Sequence, residues 1–218
     1  MESDKLSFRE RFDSVSFDFL EDEPYKTWNK ILKTSLSDHR YHHVVRVTGT
    51  AVLLARYYGE DETKAAQAAF LHDVAKKNEK RYFKTLLKEG HIREEDWKPS
   101  PYLHAYIGGL VAKYILRVED VDIIRAIQSH TLGSEHMSRL DKIIFLADLI
   151  EPGRDFPDLP ELQQAALSSL NDGMLKAFNN TIFYLIKKGQ TINPQTILAR
   201  NALIEEMKAE KKGKKFAE

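Results

Sequence analysis

Cysteine is absent from this chain of 218 residues. That excludes a disulfide framework, thiolate zinc ligation and a cysteine nucleophile together. An excess of one charge is also missing, since 33 Lys plus Arg balance 33 Asp plus Glu. Without a chain-wide positive footprint, no DNA partner is expected, and a polyanion would need a local positive site. No apolar run approaches the roughly 18 residues of a membrane span, so no membrane partner is expected. The opening MESDKLSFRERFDS has no apolar stretch of the signal-peptide kind, and a cytoplasmic location is the expectation. What is there is 42% hydrophobic and 30% charged residues, the balance of a folded chain with one core.

Three segments are expected. Residues 1–24 read as an acidic lead-in, with eight acidic and three basic side chains in the first 23 positions. Residues 25–206 form the domain. Residues 207–218 are a Lys-rich tail, with five lysines in KAEKKGKK, read as a frayed helix end or a basic arm.

Within the domain the period is helical almost throughout and no alternating strand stands out. Val44, Val47, Ala51 and Leu54 recur at helical spacing between Tyr41 and Tyr58, and Gly59 is placed to end that helix. Further helices are expected over 62–77, 80–88, 103–117 and 120–130, with a proline turn at WKPSPY. Ser138 and Asp141 form a capping-box pattern opening a helix to about Ile150. A long helix over 161–188 carries Leu167, Leu170, Met174, Phe178, Ile182 and Leu185 on one stripe, a core face or a partner face. The fold class expected is all-α.

The chemistry lies in six polar residues on the apolar sides of these helices. His72 and Asp73 are adjacent, while His43, His104, His130 and Asp148 each ride a different helix. Burying an unpaired carboxylate costs several kcal/mol. Two of them with four imidazoles call for a common partner, and a divalent metal supplies one. His72 and Asp73 could splay around one ion, or Asp73 could bridge two. The ligand count favours two, and imidazole-rich ligation favours Fe, Mn, Co, Ni or Zn over Mg. Such a site attracts an anion, with phosphate the obvious one. Lys76, three residues after Asp73 and four after His72, lies on the same face of the helix expected over 62–77 and suits a polyphosphate there.

The spacing H…HD…H…H…D, with gaps of 29, 31, 26 and 18 residues, resembles the HD-domain phosphohydrolases. RYHH at 40–43, FLHDVAK at 70–76, HAYIGG at 104–109, HTLG at 130–133, DKIIFLADLIEPGRDFP at 141–157 and GQTINPQT at 189–196 together resemble the YqeK family. The likeness spans about residues 28 to 206.

It implies an HD-domain helical bundle and symmetrical hydrolysis of diadenosine tetraphosphate (Ap4A) to two ADP at a di-iron centre. By motif, His43, His72, Asp73 and Asp148 would hold one metal, and Asp73, His104 and His130 would address the second. Asp73 and Lys76 would act in catalysis. Arg40, Lys76, Thr131 and Arg154 match positions near the phosphates, and Thr191, Ile192, Asn193, Pro194, Gln195 and Thr196 a loop near base and ribose. The ligand is then a dinucleoside polyphosphate, and a homodimer is possible. Two readings stay open beside it. One is an HD phosphohydrolase of another nucleotide, such as a nucleoside mono- or triphosphate or an alarmone, and the other is a nucleotide sensor without turnover. Of the other histidines, His39 and His91 are expected at the surface, His42 outside the ligand set, and His136 near the nucleotide loop.

Overall fold

The computed structural model describes residues 6–215 of the chain. Eleven α-helices and no strand occur among those residues, so the protein is all-α. In chain order they are α1 (Phe8–Asp13), α2 (Tyr25–Ser35), α3 (Asp38–Tyr58), α4 (Glu62–Leu71), α5 (Glu79–Lys88), α6 (Leu103–Leu110), α7 (Val121–Ser129), α8 (Arg139–Ile150), α9 (Leu159–Ser168), α10 (Leu170–Lys187) and α11 (Pro194–Lys215). None is long and apolar enough to cross a membrane.

Helix α3 is the central element. Its stripe of Val44, Val47, Ala51 and Leu54 is fully buried, and α4 and α8 pack along it. Ser37 caps its start by accepting from the Arg40 N–H, and Gly59 ends it at φ 64°. Helix α7 packs against α4, α6 and α8, while α9 and α10 pair with each other and lay α10 on α8. The apolar side of α8 buries Ile143, Ile144, Leu146 and Ile150 completely. Each such side chain contributes about 1.5–3 kcal/mol. The Ser138 capping box is present, with Asp141 as its reciprocal partner.

Four expectations need correction. The acidic segment 1–24 is more than a lead-in. From residue 8 it supplies Phe8, Phe12 and Val15 to the core, although residues 1–5 lie outside the described residues. Gly49 of α3 makes room for it, since a Cβ there would stand 2.6 Å from Phe17 and 2.8 Å from Phe12. The helix expected over 62–77 ends at Leu71 and continues as successive tight turns. The helix expected over 103–117 is α-helical only to Leu110, then widens into a π-turn over Val111–Ile115.

The long helix expected over 161–188 is two helices. Ser169, extended at φ −158°, separates them and caps α10 through the Asp172 N–H. A serine competes with the helix for its own backbone, and it wins here. The stripe buries Met174 and Phe178 fully, then surfaces toward Gly189. At the other boundary, α11 runs past residue 206 to Lys215 without a break, and residues 216–218 of the tail lie outside the described residues.

Phe178 ties this second layer to the first. Its ring meets Phe145 of α8 at a centroid distance of 5.0 Å and crowds Gly133, where a Cβ would lie 2.8 Å from it. Gly133 also has φ 71°, so both space and backbone require glycine. Phe178→Ala is expected to lower the unfolding free energy by about 3–5 kcal/mol. Urea denaturation checks this, and a loss under about 1 kcal/mol would show that the cavity collapses freely.

Candidate metal centre

The six polar residues converge on one point, and the ends of helices bring them there. His72 and His130 are the first residues beyond α4 and α7, His104 opens α6, and Asp148 lies in the last turn of α8. His43 comes from the first half of α3. The His72 ring explains why α4 stops. Its Nδ1 lies 2.6 Å from the carbonyl of Ala69, the acceptor that the next turn of helix would use.

The same device recurs around the site. His130 Nδ1 lies 2.6 Å from the Ile127 carbonyl and His104 Nδ1 lies 3.0 Å from that of Pro101. His43 Nδ1 meets Glu151 Oε1 at 3.1 Å. These oxygens can only accept, so each Nδ1 donates to its oxygen and each Nε2 turns inward, and Lys76 Nζ also stands 3.1 Å from His104 Nδ1.

Two of those Nε2 atoms, on His43 and His72, have no hydrogen-bond partner. His104 Nε2 and His130 Nε2 stand 3.3 Å apart. His72 Nε2 is buried with no hydrogen-bond partner, and His43 Nε2, although 3.0 Å from Asp148 Oδ1, makes no hydrogen bond of acceptable geometry. Asp73 lies among them. Its Oδ1 is 3.3 Å from His104 Nε2 and 3.9 Å from His130 Nε2, and its Oδ2 is 3.6 Å from His72 Nε2 and 4.0 Å from His43 Nε2. Donor atoms within 4.8 Å of one another form three overlapping groups: His43, His72 and Asp73; Asp73, His104 and His130; and His72, His130 and Asp148. Converging lone pairs and carboxylates in a buried space fit a divalent cation, which meets several at once.

The electrostatics agree. Burial drives the imidazoles of His72 and His104 down to about 4 and about 3, so both are neutral at pH 7 and ready to ligate. Burial would raise Asp73, but the surrounding histidines hold it at about 2. Burial also opposes the charge on Asp148, yet the nearby His43 and His72 rings and the charge of Arg154 keep it well below the usual range. His43 is the exception. Burial pushes it toward neutrality, while Asp148 and Glu151 outweigh that and raise it. A proton and a metal ion compete for that Nε2.

Cations ring the centre. Arg40 donates to Asp73 Oδ2 at 2.9 Å, and Arg154 donates to the Asp148 carboxylate and, at 2.8 Å, to its carbonyl. Lys76 Nζ lies 3.0 Å from His104 Nε2. It gets there through the turns after α4, since the N–H groups of Val74, Lys76 and Asn78 reach back three residues and not four. Thr131 follows His130. No hydrogen bond or ion pair of the segment 191–196 reaches the six ligands. It leads into α11, whose Ala199 packs against Gly133 of the HTLG turn. Asn193 caps α11 through the Gln195 N–H at 2.9 Å, Pro194 opens the helix, and Thr196 is buried. His39, His42, His91 and His136 are exposed.

Residues 40–153 match the HD-domain family profile. The chain belongs to the HD-domain family. It is 40% identical over 181 residues to the symmetrical bis(5'-nucleosyl)-tetraphosphatase of Halalkalibacterium halodurans, covering 82% of this chain and 96% of that one. The Bacillus subtilis protein of the same name is 37% identical, with 79% and 94% covered. Among solved structures, an HD superfamily hydrolase of Clostridium acetobutylicum, described as involved in NAD metabolism, superposes with TM-score 0.74 at 37% identity, over 84% of this chain and 97% of that one.

The HD-domain centre has one support that the sequence reading missed. Glu151 is buried, accepts from His43, and pairs through both oxygens with the guanidinium of Arg46. Arg46 and the Gly153 N–H hold it charged, at about 2, although burial opposes that. The signal was available, since Glu151 lies one turn after Asp148 and Arg46 one turn after His43. In this HD-domain protein Glu151→Ala is expected to weaken divalent-metal affinity about 10–100-fold with helix content unchanged. Chelator competition with circular dichroism checks it, and native affinity in the variant would remove the support assigned to Glu151.

Proposed function

We propose that this HD-domain protein hydrolyses Ap4A symmetrically to two ADP. The observation that carries the reading is that the chain spans 96% and 94% of two enzymes named symmetrical bis(5'-nucleosyl)-tetraphosphatase. We assign His43, His72, Asp73 and Asp148 to one divalent ion and Asp73, His104 and His130 to a second. Iron is the metal that the YqeK likeness implies, with Mn, Co, Ni or Zn as alternatives of suitable ligand chemistry. The reading is of a cytoplasmic enzyme, and it allows a homodimer.

Bound divalent ions would supply Lewis acidity and an activated water at neutral pH. The rest falls to the chain's own groups. Lys76 is mostly buried, and burial pushes its ammonium down from the ordinary lysine value, opposed by the charge of Asp73. A cation so placed seeks an anion, and it would neutralise charge on the phosphoryl oxygens as the bond to the leaving group stretches. Arg40, Arg154 and Thr131 would hold the flanking phosphates in line. ADP is a stable leaving group, so no strong general acid is needed, and no side chain is asked to form a covalent intermediate. The buried walls of α3, α4 and α7 exclude bulk water and strengthen each of these interactions. We place the base and ribose of one half of the substrate at Thr191–Thr196. There Asn193 and Pro194 fix the backbone as the start of α11, and Thr191, Ile192 and Gln195 are left to meet the nucleoside.

Chromatography of an Ap4A digest tests the reading. ADP is expected as the sole product, and AMP with ATP would rule it out. Lys76→Ala is expected to lower kcat/KM for Ap4A by about 10²–10³-fold while leaving bound metal unchanged. An effect under about threefold would deny Lys76 that role.

A further inference from the structure

A pocket of about 350 Å³ opens beside the metal centre, and of its lining residues the function proposed above uses Thr131 alone. Two of its lining residues are chain neighbours of two metal-site histidines: Leu103 precedes His104 and Thr131 follows His130. The HTLG turn therefore meets this pocket at Thr131 and Leu132, and α10 and α11 at Gly133. Only the second of these neighbourhoods leads to the loop already assigned to a nucleoside.

The lining has the chemistry of a nucleoside site. Tyr102 and Tyr106 are four residues apart, one helical turn along the start of α6, so both rings serve the same side. Tyr106 is 41% exposed and lines the pocket, so its ring is within reach of a base that stacks there. Gln128 offers an amide donor and acceptor side by side, the pairing that the N6/N7 edge of adenine takes. Its side chain lies over Gly109 of α6, where a Cβ would stand 2.4 Å from Gln128 Cγ and 3.0 Å from Nε2. Asp96 brings a carboxylate that can accept from ribose hydroxyls, and Lys98 a cation for phosphate. A symmetrical dinucleotide cut at its centre has two identical arms, and one subsite leaves the other arm unheld.

We infer that this pocket binds the second adenosine of the substrate, with Tyr106 and Gln128 as its specificity-determining residues. The inference rests on the Ap4A reading, and its test separates the two. Metal-loaded full-length protein and its Tyr106→Ala and Gln128→Ala variants would be assayed on Ap4A and on adenosine 5'-tetraphosphate, which lacks the second nucleoside. The KM for Ap4A is expected to rise about tenfold in Tyr106→Ala, with the KM for adenosine tetraphosphate within about twofold of native. Calorimetric titration with ADP gives a readout independent of turnover. About two ADP per chain are expected for the native protein and about one for Tyr106→Ala. A single ADP site in the native chain, or equal KM increases on both substrates, would overturn the pocket's assignment. Two ADP sites with no cleavage of Ap4A would sink the proposed activity and leave the pocket standing.

Discussion

Four imidazoles turn their Nε2 atoms toward one buried aspartate, and the rest of the molecule is arranged around that fact. Asp73 is nearly inaccessible, and alone it would cost several kcal/mol to keep charged. Arg40 donates to its Oδ2 at 2.9 Å, and its pKa stays below the ordinary carboxylate value. The histidines are in turn aimed by their other ring nitrogens. Three of those bind carbonyls at or near helix ends, and the fourth binds Glu151. The helix ends are thus part of the site, and α4 stops at Leu71 because the His72 ring takes a carbonyl that further helix would need.

Much of this was legible in the sequence, and the limits have physical causes. The helical period placed α3, α5, α7 and α8 within a few residues, because each carries a continuous apolar stripe and a recognisable cap or stop. Periodicity said nothing of Ser169, since the apolar stripe runs across the break and only the serine's bond to the Asp172 N–H interrupts it. It also missed the turn at His72, where a side chain competes for the backbone. Charge count made residues 1–24 look solvent-facing. Phe8, Phe12 and Val15 nevertheless reach the core on a short helix whose charges face outward.

The candidate site shows the same division. His43, His72, Asp73, His104, His130 and Asp148 were legible because buried polar residues on apolar faces need a shared partner. Glu151 was overlooked because it serves through His43 and Arg46, and its one signal was the spacing of a turn after Asp148. The pocket at Tyr102, Tyr106 and Gln128 was also invisible, as it combines three segments that only folding brings together. The HTLG turn explains why chemistry and recognition sit so close. Within four residues it provides a candidate ligand, a pocket wall and the glycine on which α10 and α11 rest.

The central claim is that this cluster is a metal centre and not a buried network of histidines. Elemental analysis of protein purified without chelator tests it most directly, with Asp73→Ala as the companion sample. The account predicts about two divalent transition-metal ions per native chain and nearly none in the variant. Native protein that is fully folded, hydrolyses its substrate and carries no metal would contradict it.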